Sequence, residues 1–167
     1  NTTELINRHL SKLLRNQLNM FEHFFDKDLF MRLSGDITKE DVIKTMYQKA
    51  HDKGIVDERF IDSVLQREEI GDTNMNEVFA LPHPMELCAT DTKVVVALLD
   101  TPIKWNESNS IQIVFMLVIK QGEMQDFEHL YDIFIEIIND NKLEQKIIDS
   151  RTYDEFINVL YDGISIE

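Results

Sequence analysis

His83 stands between two prolines, in the run Leu81-Pro82-His83-Pro84. Proline fixes its own φ and pushes the residue before it toward extended geometry, so Leu81 and His83 are biased away from helix and the imidazole is presented from a stiff turn. An imidazole held this way costs little entropy to aim. A neutral ring nitrogen can act as a nucleophile when the other ring nitrogen is held by an acceptor, which sets the tautomer that faces outward. Taken alone, the histidine also reads as an incidental loop residue. His83, Cys88 and His129 show no recognised metal-ligand spacing, so no metal is expected. No glycine-rich phosphate loop is present, so ATP binding on such a loop is not expected.

The elements that must position His83 follow from apolar spacing. From Thr3 to Phe25, Leu5, Ile6, Leu10, Leu13, Leu14, Leu18, Phe21, Phe24 and Phe25 recur in steps of three and four, an amphipathic helix. It packs on its own domain or on a neighbouring copy, or connects to a preceding domain; His9 and His23 on it are expected at the surface. Asp28 to Leu33 reads as a short strand closed by Ser34-Gly35-Asp36. Thr38 caps a helix burying Val42, Ile43, Met46, Tyr47 and Ala50, and Gly54 stops it. A second helix runs from Asp57 with Arg67 at its C-terminal end, where a cation suits the dipole.

Glu77 to Leu81 is expected as a short strand leading into the histidine turn. Lys93 to Leu99 and Ile111 to Ile119 are apolar and rich in β-branched residues, the pattern of strands buried on both faces. Trp105 and the polar Asn106 to Ser110 lie between them, the tryptophan as a packing residue. Met124 to Ile138 and Lys142 to Ile148 have helical spacing, and Thr152-Tyr153-Asp154-Glu155 opens a last helix. Helices before, between and after such strands imply an α+β fold, a three-layer α/β/α sandwich with a central mixed β-sheet.

With 167 residues the chain has room for one domain with a sizeable core, read as residues 1–27 as a helical leader and 28–167 as the domain. The 31 acidic against 17 basic residues leave a formal net charge of −14, which repels nucleic-acid phosphates and anionic membranes. Direct nucleic-acid binding is therefore not expected, whereas a partner with a basic face is. The longest apolar runs fall far short of the roughly 20 residues that cross a bilayer. One cysteine, Cys88, and no signal segment point to the cytoplasm, with the thiol simply packed. The absence of an initiator methionine suggests a piece of a longer or processed polypeptide.

Arg67-Glu68, Thr73 and Ala80-Leu81-Pro82-His83, with Glu128-His129-Leu130 further on, resemble the active-site signature of the mannitol/fructose-type enzyme IIA domains of the bacterial phosphoenolpyruvate sugar phosphotransferase system. The resemblance covers about Asp28 to Leu160. It implies a mixed sheet with the reactive histidine at its edge in a shallow depression, and phosphoryl transfer with no cofactor. His83 would be the phosphoryl acceptor, with phosphate supplied by the phosphocarrier protein HPr and passed to an enzyme IIB. Arg67 would bring a planar guanidinium to the phosphoryl oxygens, and His129, near a helix N-terminus, a second donor. His129 alone also reads as a half-buried helix histidine. Thr73 and Glu68 would support the site, although Thr73 equally reads as the end of a loop; Asp72 and Glu77 read as solvated loop charges.

The family occurs as a transport component and as the C-terminal domain of antiterminators and activators that carry paired regulatory domains and a DNA-binding domain. The Ala80-to-Pro84 run and the Phe24-to-Phe30 lead-in look more like the regulators. An enzyme IIA-like fold without phosphoryl chemistry is the third class. Asn76 departs from the glycine of many members and puts the shape of its loop in question.

Overall fold

The computed structural model describes residues 1–164; the side chains of residues 11–21, 124, 126 and 129 lie outside that description. In chain order the elements are α1 (Thr2–Phe24), β1 (Phe25–Leu33), α2 (Lys39–Asp52), α3 (Glu58–Ile70), β2 (Phe79–Ala80), β3 (Lys93–Lys104), β4 (Ser110–Val118), α4 (Met124–Ile138), α5 (Asn141–Asp149) and α6 (Tyr153–Ile164). The strands form one sheet in the order β1-β3-β4-β2. β1 runs parallel to β3 and β2 parallel to β4, while β3 and β4 pair antiparallel, so the sheet is mixed as expected.

Alternation along the two central strands separates two cores. Val94, Val96, Leu98, Ile113, Phe115 and Leu117 face α4, α5 and α6, where Leu130, Phe134, Leu143, Ile147, Phe156 and Leu160 close over them. Val95, Ala97, Leu99, Val114, Met116 and Val118 face α2 and α3, against Val42, Ile43, Met46, Phe60 and Val64. Successive strand residues point to opposite faces, so a run apolar at every position is satisfied only by helices on both sides. The α+β class and the three layers follow from that pattern. Phe115 sits at the centre of the first core with edge contacts to Phe25, Phe79, Phe134 and Phe156.

Local signals set the helix ends. Thr38 accepts from the Asp41 amide, and the Asp41 carboxylate accepts from the Thr38 amide, a reciprocal cap on α2. Gly54 follows α2 with φ +79°, a left-handed conformation that favours glycine. At α6 only half of the expected box forms: the Glu155 amide donates to Thr152 Oγ1, but the Glu155 carboxylate accepts from Arg151 N.

Three strand bounds differ from expectation. β1 opens at Phe25 rather than Asp28, because Phe24 and Phe25 are core residues and Phe25 already pairs with Val94. β3 continues past Leu99 to Lys104, with a register shift between Leu98 and Ile103. Pro102 lies in that irregular stretch, where no ladder amide is needed. β2 shrinks to two residues because Asn76 turns the chain back on itself immediately before it. Trp105 is buried and packs in the α2/α3 core, as read from sequence.

Residues 1–10 are exposed, including Leu5, Ile6 and Leu10. The last turn of α1 is tied down by Phe24 in the core, by Lys93 Nζ donating to the His23 carbonyl at 2.6 Å, and by Tyr161 Oη donating to Glu22 at 2.8 Å.

Candidate functional site

The path of the segment from Arg67 to Pro84 is held by hydrogen bonds within it and to β4, α2, α5 and the β3–β4 loop. Arg67, in the last turn of α3, donates Nη1 to the Gly71 carbonyl at 2.6 Å, closing the chain just past the helix. Glu68 is buried and accepts from the Thr73 hydroxyl on Oε1 and from the Thr73 amide on Oε2, and Lys39 Nζ lies 2.9 Å from the same Oε2. A buried carboxylate is tolerated when it is paired and hydrogen-bonded in this way. Thr73 is therefore itself buried and its carbonyl accepts from Leu81 N at 3.0 Å.

Asn76 resolves the question of the missing glycine. No residue other than glycine has positive φ among those described, so its backbone does not require one. Its Oδ1 instead accepts from the amides of Val78 and Phe79, both at 2.8 Å, an Asx-type turn that starts β2. Its Nδ2 donates to Glu144 Oε2 at 2.8 Å, reaching across to α5. Burial pushes the Glu144 carboxyl above the usual glutamate range, against the lowering effect of the Asn76 donor.

After β2 the Pro82 carbonyl accepts from Leu117 N at 2.9 Å, pinning the turn to β4. Pro82 and Pro84 are buried and His83 between them is half-buried. His83 Nδ1 lies 2.8 Å from the Leu81 carbonyl oxygen. A carbonyl can only accept, so the neutral ring carries its proton on Nδ1 and leaves the Nε2 lone pair free to act as nucleophile. The acceptor is the backbone carbonyl two residues upstream, within the turn that the two prolines stiffen.

Arg67, Thr73 and His83 line one open depression of about 710 Å³, with Asp72 and Asn74 beside them. Its remaining wall is apolar: Met75, Met85, Leu87, Leu117, Phe127 and Tyr131 among others. The structure thus brings Arg67 and His83, distant in sequence, to one cavity. Glu68 does not line it; it supports Thr73 from beneath. The His129 side chain lies outside the described residues. Its backbone falls in the second turn of α4, the helix that contributes Phe127 and Tyr131 to the depression.

Asp72 is an exposed loop charge as expected, and it also has partners. It accepts from Lys39 Nζ at 3.3 Å and from Asn106 Nδ2 at 3.1 Å, while Glu77 is exposed as read. Sequence reading missed Asn74, Asn106 and Asn109. Asn74 Nδ2 donates to Asn109 Oδ1 at 2.9 Å and Asn106 Nδ2 to Asn74 Oδ1 at 3.2 Å, stitching the β3–β4 hairpin loop to the site loop. The asparagine content of both loops was visible, but their pairing depends on the antiparallel fold-back of β3 on β4. Among the described residues no group of three histidine, cysteine or acidic side chains is arranged to hold a metal ion, and no helix is long and apolar enough to cross a membrane.

Comparison with known proteins agrees with this geometry. The chain is 31% identical over 156 residues to the probable licABCH operon regulator of Bacillus subtilis (strain 168), covering 93% of this chain and 22% of the regulator. The chain therefore spans about a fifth of that relative's length. It is 26% identical over 125 residues to the mannitol-specific phosphotransferase enzyme IIA component of the same organism, covering 73% of this chain and 85% of that protein. Its fold resembles that of enzyme IIAMTL in the complex with phosphorylated enzyme IIBMTL from Escherichia coli, with a TM-score of 0.71 at 17% identity, covering 83% of this chain and 99% of that one. Residues 23–163 match the family model of the phosphoenolpyruvate-dependent sugar phosphotransferase system, EIIA 2. That span opens with the last turn of α1 and includes all four strands, so the chain belongs to the EIIA type 2 family of that system.

Proposed function

We propose that this domain carries a phosphoryl group on Nε2 of His83, received from phospho-HPr. The observation that supports the reading best is the His83 Nδ1 contact with the Leu81 carbonyl, which leaves Nε2 as the free nucleophile. In the transfer the bond from phosphorus to the donor breaks as the bond to Nε2 forms, and the donor leaves with the electron pair. Arg67, on the wall of the same depression, supplies guanidinium N–H groups to the phosphoryl oxygens. His129 is a second donor in this reading, and Thr73 and Glu68 hold the loop. Metal and organic cofactors play no part in the proposed step.

The setting favoured is a cytoplasmic sugar-operon regulator in which this domain is fused to paired regulatory and DNA-binding domains. The supporting observation is the similarity to the licABCH operon regulator, which runs over 93% of this chain and so includes residues of α1 ahead of the family match. In that setting the part of α1 ahead of Phe24 connects the domain to what precedes it, since Phe24 and Phe25 already belong to its core. The second reading, a transport component that hands its phosphate to an enzyme IIB, is supported by the mannitol enzyme IIA component and by the solved complex with phosphorylated enzyme IIBMTL. Incubation with phosphoenolpyruvate, enzyme I and HPr, read by intact mass, tests the chemistry. One added phosphoryl group in the wild type and none in His83→Ala is expected; an unchanged adduct in the variant refutes the acceptor assignment. Transfer onward to a purified enzyme IIB separates the transport reading from the regulatory one.

A further inference from the structure

We propose that Lys39 is a positioning residue for transfer at His83, acting through an unbroken series of polar contacts that ends on the imidazole. The inference deepens the acceptor reading and rests on it. Lys39 is the first residue of α2, on the side of the sheet opposite α4. Its side chain is 20% exposed, and the ammonium lies 2.9 Å from Glu68 Oε2, 3.3 Å from Asp72 Oδ1 and 4.7 Å from the centre of the buried Trp105 ring. Glu68 accepts from the Thr73 amide and hydroxyl; the Thr73 carbonyl accepts from Leu81 N; the Leu81 carbonyl faces His83 Nδ1. Each link holds the backbone that makes the next one.

Removing the ammonium leaves the Glu68 carboxylate, its side chain 6% exposed, without its cation. A buried charge that loses its partner must turn to water or rearrange, because its desolvation is no longer compensated. Thr73 is bound to that carboxylate at two points and moves with it, and the Leu81 carbonyl then loses its aim at Nδ1. Asp72, on the wall of the depression, loses one of its two partners at the same time. Transfer to an oriented nucleophile falls steeply with misplacement, on the order of a hundredfold per ångström, so a shift of a fraction of that distance is visible in the rate.

The test uses the whole chain. Lys39→Met, Lys39→Arg and, as a comparator, Lys53→Met are each measured by thermal melt, by the imidazole nitrogen spectrum of His83, and by single-turnover transfer from phospho-HPr. Lys53 pairs with Asp26 at 2.8 Å and Asp28 at 3.5 Å past the other end of α2, so its loss removes a comparable ion pair away from the site. Lys39→Met is expected to slow transfer roughly tenfold and to convert the single Nδ1–H tautomer of His83 into a mixture. Lys39→Arg restores both and Lys53→Met changes neither. If Lys39→Met does not fold, Lys39→Gln, which keeps a polar donor beside Glu68 but no cation, carries the same two readouts. A folded Lys39→Met or Lys39→Gln that keeps the wild-type rate or the wild-type tautomer overturns the proposal. If the wild type itself takes no phosphoryl group, the acceptor reading fails, and the tautomer spectrum still decides the role of Lys39.

Discussion

Replacing Arg67 by alanine separates a catalytic contribution from a structural one, because the two have different sizes. The structural part is small. Among the described residues the Arg67 side chain makes one hydrogen bond, to the Gly71 carbonyl, and that bond is solvent-exposed, so its loss costs about 1 kcal/mol of stability at most. If the guanidinium also binds the phosphoryl oxygens in the transition state, losing that donor raises the barrier by about 2 to 4 kcal/mol, by analogy with removal of an oxyanion donor. That corresponds to roughly 30- to 1000-fold in transfer rate. The expected signature is thus a near-normal melt with a severely slowed single-turnover transfer from phospho-HPr. Arg67→Lys keeps the charge but not the planar fork, and is expected to recover only part of the rate. Wild-type transfer in a folded Arg67→Ala would mean that Arg67 only closes α3 onto Gly71, and that the site reduces to His83.

His83→Ala is expected to abolish the phosphoryl adduct with little effect on folding, since the side chain gives up one hydrogen bond worth about 1 kcal/mol; intact mass and a melt read the two effects. Glu144→Gln is expected to raise the melting temperature at neutral pH. The carboxyl is raised in the folded state, so its favourable protonated form is fully present below the ordinary glutamate value of 4.5, and stability falls as pH rises through the folded value. The amide keeps an acceptor for Asn76, and the gain over wild type should vanish in melts below that pH. A gain that persists in acid would show that charge is not its cause. Transfer from phospho-HPr is expected to slow as salt is added, because a net charge of −14 steers a basic partner by long-range attraction. A rate flat from low to high salt refutes that role.

Periodicity and local chemistry determined much of this protein before any coordinates. The unbroken apolar runs ending at Leu99 and Ile119 demanded helices on both faces, since every strand position needed burial. Thr38, Gly54 and the prolines around His83 act through their own backbone restrictions, so they could be read in place. The Arg67, Thr73 and His83 signature was legible because its members lie along one continuous stretch.

Tertiary structure decided what depends on residues distant in sequence. Phe25 has helical spacing from Leu18 and Phe21, and only its pairing with Val94 makes it the start of a strand. The run Asp100-Thr101-Pro102 lies beyond the apolar stretch that ends at Leu99, and only the β3–β4 ladder resuming at Ile103 and Ile111 makes it part of β3. Asn76 looked like a defect where a glycine is common, yet it caps β2 and reaches Glu144 on a helix formed much later in the chain. Lys39 had no signal at all, because a lysine at a helix start is ordinary until the fold sets it against a buried carboxylate. Backbone restriction is a property of neighbours in sequence and can be read there. Burial, and the partner that makes a buried charge tolerable, belong to neighbours in space.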